Sequence, residues 1–266
     1  SRMQPEDGDL QKLIQATGFD PRLDLDQVLV AGFAAASSGA KNQGLLLARG
    51  RFDIAKITAH AQLSGATVSN EGGTPVIGLG KSDSGLMAFP DATLAVAGDA
   101  APVRAALARR AMSGPANAAL ASLAARWSGN DAWFVTTAVS QFSGRLGAGN
   151  QKLQSSALQS VETVSGGVRL GADVALKVEA QTRTAGDATA LADVLRFLAG
   201  MVQLNRERDP QAAQIAAILD KAQITAGGQV VTVELSIPEA DLERWINESK
   251  KAPGRKPATR RKEASL

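Results

Sequence analysis

The chain has no cysteine, no tyrosine, one histidine, and aromatic residues at only 4% of its length. Each shortage excludes a class of chemistry. Without cysteine there are no disulfides, no thiolate nucleophile and no thiolate-ligated metal. With His60 alone, a zinc site would have to be built mainly from carboxylates, an uncommon ligand set. A Ser-His-Asp triad would have to use His60, and no G-x-S-x-G elbow accompanies it. No apolar run reaches the roughly 18 residues of a membrane-spanning helix. No catalytic residue, metal site or cofactor is therefore assigned from the sequence.

What is present is an aliphatic, mildly acidic body with a basic end. Hydrophobic residues make up 44% of the 266 positions, enough to bury a sizeable core of Ala, Val, Leu and Ile. The formal net charge is +3, but it is unevenly distributed. Residues 249–266 hold Lys250, Lys251, Arg255, Lys256, Arg260, Arg261 and Lys262 against one acid, Glu263. This segment is rich in Pro, Ala and basic residues and has no apolar periodicity, so it reads as a disordered tail. Its seven cations are the binding residues the sequence offers, through electrostatic contact with another protein or an anionic envelope surface. No aromatic interleaves them, so they lack the means to stack bases, and sequence-specific nucleic-acid recognition is not expected.

Along the body, apolar alternation and helical periodicity take turns. Residues 9–17 place Leu10, Leu13 and Ile14 on one helical face, and Gly18 follows as a stop. QVLVAGF and GLLLARG read as strands, and Asp53 caps a helix with Ile54, Ile57 and Ala61 inward. Hairpins follow through TPVIGLG, GLMAF and ATLAVAG, then helices capped by Asp99 and started near Pro115. In the second half, Val174, Leu176, Val178 and Ala180 alternate with Lys177, Glu179 and Gln181, the period of a half-buried antiparallel strand. Asp187 and Asp209 are read as caps of two further helices, and Val231, Val233, Leu235 and Ile237 form a last apolar strand face. Gly72-Gly73, Gly166-Gly167 and Gly227-Gly228 each stand between strand-like runs, where tight turns are expected. The expected fold is α+β: antiparallel sheets with helices packed on one face, in two similar halves (1–129 and 130–248) suggesting internal duplication, followed by the tail at 249–266.

The stretches TGFDPRLDLDQVLVA, LLLARGRFDIAKITAHA and FPDATLAVAGDAAPVRAAL, with GADVALKVEA and ALADVLRFLAGM in the second half, resemble a group of uncharacterised bacterial proteins of acidobacterial type. The resemblance implies an exported protein, free or membrane-tethered, with a duplicated α+β plan; it implies no activity and no catalytic residues. GLGKSDSG, with Gly80-Lys81-Ser82, touches on a phosphate-binding loop, but Pro75 stands where the first glycine is needed and a strand-like run follows instead of a helix. Carboxylates are numerous, yet most read as caps or turn residues, and Arg22 among Asp20, Asp24 and Asp26 reads as an ion-pair brace. Trp127, Trp133 and Trp245 read as core or core-edge residues. The leading expectation is a non-catalytic, envelope-associated binding or structural module located outside the cytoplasm. The alternative is a carboxylate-dependent enzyme acting on glycan or peptide.

Overall fold

In the computed structural model, residues 7–33, 43–80, 84–110, 112, 114, 117–137, 156–204, 206–207 and 210–242 are described. The chain forms two compact units, Ser1–Gly114 and Pro115–Leu266. The division falls before the helix Ala118–Trp127 rather than after residue 129, because that helix packs on strands of the second unit. The architecture is α+β with antiparallel sheets throughout, one in each unit.

The first unit runs α1 (Asp7–Thr17), α2 (Pro21–Asp24), β1 (Leu25–Phe33), β2 (Gln43–Gly50), α3 (Ile54–Leu63), β3 (Val68–Glu71), β4 (Thr74–Leu79), β5 (Gly85–Asp91), β6 (Leu94–Asp99) and α4 (Ala100–Arg110). Its strands lie in the order β1-β2-β6-β5-β4-β3. Successive residues of a strand face opposite ways, and here both ways are apolar. Leu45, Val76, Leu86, Ala88 and Val96 pack beneath Val103 of α4. Ala48, Ile77, Phe89 and Ala95 pack with Phe52 against Ile54, Ile57 and Ala61 of α3. The helices of this unit therefore divide between the two faces of the sheet. Asp53 caps α3 by accepting from Lys56 N at 3.1 Å. Asp99 does a different job from the cap expected of it. Its carboxylate accepts from Gly44 N at 2.7 Å and ties the start of β2 to the end of β6. Gly72 and Gly73, at φ 60° and 86°, make the β3–β4 turn, a conformation glycine adopts without steric cost.

The second unit runs α5 (Ala118–Trp127), β7 (Ala132–Thr136), α6 (Ser156–Gln159), β8 (Val161–Arg169), β9 (Asp173–Thr182), α7 (Ala185–Leu204), α8 (Pro210–Leu219), β10 (Gln223–Gly227) and β11 (Val230–Pro238). The strand order is β10-β11-β9-β8-β7. Ala188, Leu191 and Ala192 of α7 are buried against Val231, with Ala180 and Ile224 packed around them. The apolar alternation read in β9 and β11 thus faces this helix.

Two local expectations change in this unit. Gly166-Gly167 is not a turn: both residues lie inside β8, and the chain reverses at 170–172. Neither has room for a side chain: a Cβ on Gly166 would lie 2.7 Å from Lys177 O of the neighbouring strand, and Gly167 lies under the end of α5. Asp187 does not cap α7. Thr184 does, accepting from Asp187 N at 3.1 Å as an N-cap, while its hydroxyl donates to the Asp187 carboxylate at 2.8 Å. Asp209 lies outside the described residues.

Candidate functional site

The face of the second sheet turned away from α7 carries the polar half of the β9 alternation. Register places Lys177 between Gly167 of β8 and Glu234 of β11, and Ala175 between Arg169 and Ser236. One end of this face is covered by the C-terminus of α5. Asn130 holds that end, donating from both its backbone N and its side-chain Nδ2 to Trp127 O, at 3.0 and 2.9 Å. Asp131 N donates to Val168 O at 3.0 Å, and the Asp131 carboxylate accepts from Leu170 N at 2.7 Å. The helix end is thereby pressed flat onto β8. Gly167 permits it: a Cβ there would lie 2.6 Å from the Asn130 side chain. Between α5 and the strands runs a groove of about 550 Å³ lined by Arg126, Trp127, Arg169, Lys177, Glu179 and Glu234 among others.

The groove is electrostatically ordered. Glu179, with its side chain only 10% exposed, is paired with Arg126 and lies 3.6 Å from Lys177 Nζ. Lys177 also reaches Glu234 at 2.8 Å. The hydrogen bond to Glu234, helped by the charges of Glu234 and Glu179, raises the Lys177 pKa above the ordinary lysine value, so the ammonium stays protonated. A buried carboxylate is tolerable only with such partners, because leaving it alone forfeits its hydration without return. The Arg126 guanidinium carbon sits 5.5 Å from the centroid of the Trp127 ring, within cation–π range. Trp127 is buried, and its indole Nε1 is the buried side-chain polar atom without a hydrogen-bond partner among the described residues. Arg169, exposed on the same face, has no ion pair among the described residues.

The sequence-derived candidates fall elsewhere. Lys250, Lys251, Arg255, Lys256, Arg260, Arg261 and Lys262 lie outside the described residues, as do Trp245 and the Lys81–Asp83 part of GLGKSDSG. The residues flanking that loop, Leu79 and Gly85, are paired across an antiparallel hairpin. His60 is half-buried in α3. The Asp20–Asp26 turn is a brace as expected: Arg22 pairs with Asp20 at 2.9 Å, and Arg51 pairs with Asp24 at 3.1 Å. A shallower hollow beside it is lined by Asp24, Arg51, Asp53 and Lys56, all engaged in these pairs or in the Lys56–Asp53 pair at 2.9 Å. Among the described residues no three His, Asp or Glu side chains gather as metal ligands, and no helix is long and apolar enough to cross a membrane. Sequence reasoning missed the groove. Its signal was there, in opposite charges two apart on β9, but the same pattern marks any solvated strand face.

No family model matches the sequence, and no curated protein matches it. Among solved structures the chain shows a distant likeness to two crystal forms of TP0453. Crystal form I has 12% identity and a TM-score of 0.46, with 82% of this chain and 78% of that chain covered. Crystal form IV has 13% identity and a TM-score of 0.48, with 91% of this chain and 83% of that chain covered.

Proposed function

We propose that the protein is a non-catalytic, envelope-associated binding module, and that the open face of its second sheet takes a polar ligand bearing a carboxylate or phosphate group. The observation that carries this reading is the charge order of the groove. Its two acids already have cationic partners, whereas Arg169 has no anionic one among the described residues, and a guanidinium is the side chain best shaped to grip an anionic fork. Lys177 is held in its charged form, which suits a fixed electrostatic contact and not a general base or an amine nucleophile. The basic segment at 249–266 supplies the envelope contact, at up to roughly 1 kcal/mol per basic residue near an anionic bilayer.

Calorimetric titration with triglutamate and with inorganic phosphate tests the groove. Binding is expected, and Arg169→Ala should weaken it about tenfold, the equivalent of one charge-assisted hydrogen bond. An affinity unchanged in that variant would remove the groove from the reading. Deleting residues 249–266 should abolish sedimentation with phosphatidylglycerol vesicles at low salt; retention would remove the tail. The enzyme reading would take over if glycan or peptide turnover were found and were lost in Glu179→Gln or Glu234→Gln.

A further inference from the structure

Among the described residues, strand β1 is the edge of the first sheet and pairs with β2 alone. A free edge presents unpaired N–H and C=O groups, and folded proteins usually blunt it with Lys, Pro, a bulge or brevity. The opposite edge, β3, is four residues long, and its Glu71 is gripped by Arg104. β1 has one irregularity at its start, between Leu25 and Gln27, and none of these protections along its middle. It is nine residues long, contains no Pro, and carries Asp26 as its one charge. Residues 26–30 are all exposed, with Val28, Leu29 and Val30 at 54%, 44% and 71%. Adjacent strand residues point to opposite faces, so the free ladder is flanked by hydrocarbon on both sides, with Leu46 adding to the Val28 and Val30 side.

We infer that β1 is a dimerisation strand: two copies of this chain pair β1 to β1, antiparallel, about a two-fold axis at Leu29. The sequence of the strand selects a second copy as occupant because it is complementary to itself in that register. Leu29 meets Leu29 of the other copy, Val28 meets Val30, and Gln27 meets Ala31. Asp26 meets Gly32, so the two like charges lie at opposite ends and never face each other. A contact of this kind is isologous and closed, using up both apolar edges at once and leaving the guarded β3 edges outward.

The absence of cysteine makes the register directly testable in the full chain. Opposed residues of antiparallel strands have Cα atoms about 4.5–5.5 Å apart, within disulfide reach. Under mild oxidation Leu29→Cys should cross-link to itself, Gln27→Cys alone should not, and Gln27→Cys mixed with Ala31→Cys should. Sedimentation velocity should show a dimer that Val30→Lys converts to a monomer with unchanged far-UV circular dichroism. If Val30→Lys unfolds, the cysteine pattern still decides, because each variant otherwise retains the native strand. A monomer across the concentration range, a monomer that binds vesicles through this patch, open-ended polymers, or a dimer in which Leu29→Cys does not cross-link would each overturn the inference.

Discussion

At Gly50 a single hydrogen atom decides whether two segments can meet. A Cβ there would lie 2.0 Å from the carbonyl oxygen of Asp24, an atom that also accepts from Arg51 N at 2.9 Å. Backbone cannot move aside as a side-chain tip can. Gly50→Ala should therefore cost about 3 kcal/mol or more, beyond the usual range for overpacking. Gly129, by contrast, has open space where its Cβ would go and no positive φ, and Gly129→Ala should be neutral or stabilise by about 0.5 kcal/mol. Urea titration of both variants checks the pair. Trp127 offers a second residue-level test. Its buried, unpartnered N–H offsets part of the benefit of burying the ring. Trp127→Phe should stay within about 1 kcal/mol of the parent, whereas Trp127→Ala should lose about 3–5 kcal/mol.

Protonation belongs to the same scale. Asp20, Asp53 and Asp91 have pKa values lowered chiefly by hydrogen bonds, from Arg22, Lys56 and Thr93 respectively. A lowered carboxylate pKa gives stability that is complete above the unfolded value near 3.9 and is lost as pH falls through the folded value. These three should thus add to an acid limb beginning near pH 4, and Asp91→Asn should make that limb shallower. Lys177 is the opposite case. Its raised pKa contributes fully below the unfolded value near 10.4 and is lost as pH climbs through the folded one. Lys177→Met should therefore flatten the alkaline end of the stability profile.

Among the elements, the contact of α5 with β8 is the most exposed to a single change, because it rests on an absent side chain. Gly167→Ala would push a methyl group to 2.6 Å from Asn130, whose side chain fastens the helix end. A loss of about 1–3 kcal/mol is expected, with a red shift of Trp127 emission as the helix lifts. This site also shows where reading a sequence stops. Strands β9 and β11 and helix α3 were legible because alternation, helical spacing and an Asp cap are local signals. Gly166-Gly167 was not, because a glycine pair at a turn and one crowded within a strand, by neighbouring strands at Gly166 and by a helix end at Gly167, look alike until the partners are known. Asp99 misled for the same reason: a carboxylate before a helix is cap-like locally, but its actual partner, Gly44, lies 55 positions away. The groove needed three strands and a helix end to be brought together, and no spacing within one element reports that.

For the molecule as a whole, the core clusters assign each unit its own interior. Leu45, Val76, Phe89 and Val103 belong to the first, and Leu191, Ala192 and Val231 to the second. Fragments 1–114 and 115–266 should accordingly each fold alone, giving a cooperative thermal transition and a sheet-containing circular dichroism spectrum. A fragment that stays unfolded while the full chain folds would show that its core is incomplete. The interior of the first unit has a further consequence. β4, β5 and β6 are apolar toward both faces, as Val76 beside Ile77, Ala88 beside Phe89 and Ala95 beside Val96 show. A strand buried on one face is punished for slipping by one residue, because its oily side turns to water; a strand buried on both is not. Alignment must come from notches instead. Gly98 is one, since a Cβ there would lie 2.2 Å from Gly44 O, and the Asp99–Gly44 bond beside it is another. Both lie on the β2–β6 seam and engage only when those two strands, far apart in sequence, have met in register. Collapse can then outrun alignment, and Gly98→Ala should refold through compact, misaligned species that have to reopen before they can finish.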